Sequence, residues 1–166
     1  MDKRYFLIIV IVCICCINLY MISNVSDVIG SASVDVGKYT FSLPSGFTLY
    51  SDSSSDVMIS NPSDSNLKVY INNSLDDDDN YMNRVNLIKN NSKIYSNGSI
   101  MVGDIEIKSI YYSGYDDSIN RSAFYFNKLD NNFKIVISNF NYDLQKNETI
   151  DIVTQIVESI RVNYKI

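Results

Sequence analysis

Lys38-Tyr-Thr-Phe-Ser-Leu-Pro-Ser-Gly-Phe47 is the stretch that decides the fold class. Tyr39, Phe41 and Leu43 alternate with Thr40 and Ser42, the period of a strand that buries one face. Pro44-Ser45-Gly46 carries turn chemistry, because proline presets one backbone angle and glycine tolerates the left-handed one. Residues 47–50 then resume as strand.

The pattern continues downstream. Residues 57–60 and 67–72 read as strands about the turn Asn61-Pro62-Ser63-Asp64, with Leu67, Val69 and Ile71 on one face. Ser74 can cap a helix beginning near Leu75, whose apolar stripe is Tyr81, Met82, Val85 and Ile88. Residues 90–92 end it. Residues 93–96 read as a short strand, Asn97-Gly98 as a turn, and 100–102 and 104–113 as strands flanking Gly103. Residues 114–120 form a turn. Residues 121–128 and 132–140 form a hairpin about Leu129-Asp130-Asn131; Phe124 and Phe126 share a face, as do Phe133, Ile135 and Ile137. The clearest helix closes the chain. Ile152, Val153, Ile156, Val157 and Ile160 fall on one side, Asp151, Thr154, Gln155 and Glu158 on the other, and Asn147 or Asp143 can cap it. The expected class is α+β, a mostly antiparallel sheet of about six to eight strands packed by two helices.

The opening Tyr39-Thr-Phe-Ser-Leu-Pro-Ser-Gly-Phe47 resembles the strand–Pro–Gly–aromatic start of PsbP-like domains. Ile156-Val-Glu-Ser-Ile160 resembles their terminal helix, and the order of elements between the two agrees. The resemblance spans about residues 36–163. It implies an α/β/α sandwich, a sheet covered by helices. It implies no activity, since members of that superfamily differ in role and fold alone does not set function. The chain has no Trp, and Phe47 stands at the aromatic position.

At the N-terminus, Lys3 and Arg4 precede an apolar run over residues 5–22, interrupted by Asn18. About 18 residues at 1.5 Å each reach roughly 27 Å, enough for a bilayer core. A cleaved signal peptide and a retained signal-anchor compete here. The run is longer than a signal h-region, and the nearest small-residue cleavage pattern, Gly30-Ser31-Ala32-Ser33, lies well beyond it, which favours retention. Basic residues before the run, and Asp27 and Asp35 after it, place the N-terminus in the cytoplasm and the body outside. The expected organisation is a transmembrane helix at 1–22, a linker at 23–36 and an extracytoplasmic domain at 37–166. The three cysteines, Cys13, Cys15 and Cys16, all lie in the apolar run, so the body has neither disulfide nor cysteine metal site. Their preceding residues, Val12, Ile14 and Cys15, do not suit lipoprotein processing.

Composition narrows function. A net charge of −5 disfavours nucleic-acid binding. The absence of His removes the usual general base and the commonest transition-metal ligand. Asp76, Asp77, Asp78 and Asp79 are the only weak metal candidates; consecutive aspartates on a helix diverge, and they suit the positive end of its dipole better. Asp116-Asp117 lies in a turn. Glu106 and Glu148 are not marked as a catalytic pair by any spacing. Tyr70, Tyr111, Tyr112, Tyr115, Tyr125 and Tyr142 could line a face for sugar or peptide, or serve as ordinary strand residues. Glycosylation sequons occur at Asn24, Asn72, Asn90, Asn97, Asn120 and Asn147. The expectation is a membrane-anchored, extracytoplasmic, non-catalytic binding or assembly module without cofactor. Its partners would be the membrane through residues 5–22 and a protein or surface glycan. A structural surface component and a carboxylate-dependent hydrolase are the alternatives.

Overall fold

The hairpin expected about Leu129-Asp130-Asn131 shows how local chemistry yields to long-range contacts. Lys128 pairs with Asn131, so the turn proper is Leu129-Asp130, and both adopt left-handed backbone angles, φ 53° and 56°. Such a turn matches the twist of its flanking strands, although Leu is a poor residue for it. Other elements hold it in place. The Tyr39 hydroxyl donates to the Leu129 carbonyl at 3.3 Å, and the Asn131 amide donates to the Asn73 carbonyl at 2.9 Å.

The computed structural model describes residues 32–73, 81–114, 119–138 and 142–163. In chain order the described elements are β1 (Ser33–Val36), β2 (Tyr39–Ser42), β3 (Thr48–Asp52), β4 (Asp56–Asn61), β5 (Asp64–Asn72), α1 (Tyr81–Asn91), β6 (Ser92–Val102), β7 (Ile105–Gly114), β8 (Asn120–Lys128), β9 (Asn131–Ser138), α2 (Tyr142–Ser159) and β10 (Arg161–Val162). The membrane-helix expectation for 1–22, the linker through residue 31, the Ser74 cap and Asp76 to Asp79 lie outside the described residues. Among the described residues no helix is long and apolar enough to cross a membrane.

A seven-stranded sheet runs β3-β4-β5-β9-β8-β7-β6, and a three-stranded sheet runs β1-β2-β10. All neighbours pair antiparallel. The β6–β7–β8 meander intervenes in sequence between β5 and β9, which are adjacent in space. The small sheet, with α2, covers one face of the large one. Val34, Val36, Tyr39 and Phe41 join Val57, Ile59, Leu67, Val69 and Ile71, the β8–β9 residues Phe124, Phe126, Phe133, Ile135 and Ile137, and Ile152, Val153, Ile156 and Val157 of α2 in one buried cluster. At its centre Phe133 stacks on Phe126, centroids 5.4 Å apart, and meets Tyr39 edge-on at 5.1 Å. Full burial of a residue of this size stabilises by about 2–3 kcal/mol.

On the opposite face α1 sets Val85 and Ile88 against Ile110, Ala123, Tyr125 and Val136. The α+β class and the helix on each face are therefore as the sequence requires.

Several local expectations are corrected. Ser33–Val36, assigned to the linker, is strand β1, because Val34 and Val36 have a core to enter and pair with Phe41 and Tyr39. Asn97-Gly98 is no turn. Both residues lie inside β6 and pair with Ile110 and Ser109, and the ladder with β7 overrides a local preference worth little by itself. The chain reverses instead at Gly103, φ 60°, between the partners Val102 and Ile105. Neither Asn147 nor Asp143 is the cap of α2, since the helix already begins at Tyr142.

The two sheets join tightly at Gly37. Its φ is 60°, and a Cβ there would collide with the Asn73 amide that donates to the Val36 carbonyl at 2.7 Å. The orphan carbonyls at the end of α2 are met by cations: Lys128 donates to Val157, and Arg161 donates to Glu158 and Ile160.

Candidate binding face

Alternation in the strands sends Met58 of β4, Lys68 and Tyr70 of β5, and Lys134 and Val136 of β9 to the face away from the α2 core. Register then sets them in rows. Met58 stands opposite Tyr70, and Tyr70 opposite Val136. Ser60 and Ser138 flank Lys68, and Asn72 and Tyr125 flank Lys134. Val136 borders the part of the face that α1 covers. Toward β3, no described element lies over the sheet.

An irregularity in β3 adds to this open half. The register shifts between Leu49 and Ser51, leaving Tyr50 as the extra residue of a bulge. Its ring lies beneath the Lys68 ammonium, 5.5 Å from nitrogen to centroid. Tyr50 is 63% exposed and Tyr70 43%. They stand on strands two apart, roughly 9–10 Å by strand spacing. On the covered side Lys134 lies over the Tyr125 ring at 5.9 Å. Arg121, opposite both Ser138 and Tyr112, completes a basic border along β8. Lys68, Lys134 and Arg121 thus share this face with a carboxylate, Asp56, which stands opposite Asn72 and accepts from its amide.

The tyrosines singled out in the sequence do not form one face. Tyr70 is on the open half. Tyr111 is buried toward α2, edge-on to Phe124 with centroids 5.9 Å apart. Tyr112 and Tyr125 lie under α1. Tyr115 and Asp116-Asp117 fall outside the described residues, and Tyr142 opens α2. Tyr50, Met58 and Lys68 were missed; the bulge that turns Tyr50 onto Lys68 leaves no mark in a period-2 reading.

The remaining candidates separate. Glu106 is exposed on β7 and Glu148 exposed on α2. Among the described residues no group of three or more His, Cys, Asp or Glu could hold a metal ion. Asn72 donates its amide to Asp56 and is half-buried. Asn120 accepts from the Tyr95 hydroxyl at 3.1 Å. Asn90, Asn97 and Asn147 are exposed, and Asn24 is outside the described residues.

No family model matches the chain, and no curated protein is similar to it in sequence. Solved structures are similar to it in fold. A protein from Bacteroides thetaiotaomicron aligns with a TM-score of 0.54 at 8% identity over 82% of this chain; the match spans half, 50%, of that longer chain. The cyanobacterial PsbP (CyanoP) of Synechocystis aligns at 0.48 and 11% identity, over 75% of this chain and 86% of that one. LpqN of Mycobacterium tuberculosis, involved in cell envelope biogenesis, aligns at 0.45 and 14% identity, over 80% and 90%. At these identities the likeness is one of fold.

Proposed function

We propose that this chain is a non-catalytic binding module, held outside the cytoplasm by an N-terminal membrane anchor, that engages an acidic protein partner through the open half of its sheet. The observation that carries this reading is exposed Tyr50 and Tyr70 beside half-buried Lys68 and Met58, on the part of the sheet face away from α1. Tyrosine and methionine supply contact area at low entropic cost, and interface cores are enriched in both. The basic border of Lys68, Lys134 and Arg121 supplies charge complementarity to an acidic surface. The anchored topology is supported by the apolar run over residues 5–22 behind Lys3 and Arg4.

A photocrosslinking residue placed at position 70, with a second at exposed Leu87 on α1 as control, tests the face in intact cells. The expected result is one reproducible heterologous protein from position 70 and none from position 87. Only copies of this chain would favour a structural surface component, and loss of the crosslink after glycan removal would favour a sugar ligand. Replacing Tyr70 with Ser should weaken capture tenfold or more, about 1.4 kcal/mol. Topology is tested separately. Protease added to intact cells should cut the body, and its survival until lysis would overturn the outside assignment.

A further inference from the structure

The strand β6 closes the large sheet, and among the described residues nothing pairs with its outer edge. It is eleven residues long, contains no proline and has Lys93 as its only charge. Beyond the irregularity at Ile94 to Ser96, the run 96–102 keeps unbroken register with β7 and carries no charge at all. The other edge, β3, is five residues long, interrupted by a bulge, and ends in Asp52. A long, uncharged, regular edge invites another strand, and folded proteins usually guard such edges.

In the middle of that run stands the sequon Asn97-Gly98-Ser99. Glycan transfer needs both the Asn amide and the hydroxyl two residues on. At Asn97 all three sequon positions are exposed, and nothing lies within 4 Å of where a Cβ on Gly98 would stand. The other described sequons lack this. Ser92, which follows Asn90, is 8% exposed; Ser122, which follows Asn120, is 0% exposed; Thr149, which follows Asn147, is 1% exposed. Asn72 is half-buried, with its amide on Asp56.

We infer that Asn97 is the glycan acceptor of the folded domain, and that a glycan there guards the β6 edge against strand addition. The inference rests on the proposal that the body is extracytoplasmic, where glycan transfer occurs. In the step, the Asn97 side-chain nitrogen bonds to the anomeric carbon of a glycan carried on a lipid phosphate. The bond from that carbon to the phosphate oxygen breaks, the lipid phosphate leaves with the electron pair, and the amide proton passes to a base of the transferase. Sequons with buried hydroxyls become reachable only in molecules that open locally, so the folded protein should be modified at Asn97 at least about tenfold faster than elsewhere.

The test supplies both transferase and lipid-linked donor to the purified full-length chain in detergent, native or urea-unfolded, and maps the sites by mass spectrometry. Native protein modified at Asn97, with loss of that modification in Asn97→Gln and in Ser99→Ala, is the expected result. Native protein modified as fast at Asn90, Asn120 or Asn147, or modified at Asn97 only once unfolded, overturns the inference. Because the reaction is supplied in vitro, such a failure indicts Asn97 and leaves the topology to the protease assay. For the guarding role, sedimentation should show the unglycosylated Asn97→Gln protein self-associating at concentrations where the glycosylated protein is monomeric. A charge placed on the edge by Met101→Lys should restore the monomer in Asn97→Gln. Association that ignores both the glycan and Met101→Lys, or a fully monomeric Asn97→Gln protein, removes the guarding role.

Discussion

The two faces of the seven-stranded sheet are built from the same strands and follow opposite logic. Toward α2 nearly every inward position is a large apolar side chain, and Ile59, Val69, Ile71, Phe124, Phe133, Ile135 and Ile137 are fully buried. Toward α1 the same strands present Lys68, Tyr70, Lys134, Val136 and Arg121, and among the described elements α1 covers the part built by Ile94, Ile110, Ala123, Tyr125 and Val136. One face is therefore a fold-making surface, continuous from β1 to α2. The other is a small hydrophobic patch that seats one helix, with the remainder uncovered by any described element. Substitutions on the first should be read in stability, and on the open part of the second in binding.

That contrast can be broken by measurement. The largest effect is expected at Phe133. Phe133→Ala removes the stack on Phe126 and the edge contact with Tyr39, and should cost about 3–5 kcal/mol in urea unfolding. A loss below about 1 kcal/mol would mean that the two sheets are not joined through this ring. Val85→Ala, beneath α1, should cost less, roughly 1–2 kcal/mol, because its cluster is small and borders solvent. If it equals Phe133→Ala, the faces are energetically alike and the comparison fails. Tyr70→Ser should change stability by no more than about 0.5 kcal/mol while reducing partner capture. A large stability loss there would place Tyr70 in the core and withdraw it from the proposed interface.

The smallest effect concerns pH. Burial pushes the Lys128 ammonium below its ordinary value of 10.5; nearby Arg161 adds to this, and Glu158 and Asp104 oppose it. Just below pH 10.5 the unfolded chain therefore holds the proton more firmly than the folded one, and raising the pH through that window favours folding. Wild-type stability should rise slightly relative to Lys128→Met as pH approaches 10.5 from below. A fall in that difference would mean that the contact with the Val157 carbonyl outweighs desolvation.

Much of this architecture was legible in the amino-acid order. Alternation at Tyr39-Phe41, Leu67-Val69-Ile71 and Phe133-Ile135-Ile137 identified strands and their inward residues, and Ile152 to Ile160 identified the closing helix. Those signals are local, since neighbouring residues on a regular backbone share a face whatever they later touch. Partnership is different. That Ser33–Val36 joins a small separate sheet, that Asn97-Gly98 continues a strand, and that Leu129 accepts a left-handed angle were decided by segments distant in sequence. The same holds for the site. Sequence lists the tyrosines and the sequons, but burial separates Tyr70 from Tyr111 and Ser99 from Ser122. Periodicity says which side chains point together. Only the docking of α1, α2 and the small sheet decides which parts of the two faces are buried, because that burial joins segments distant in sequence.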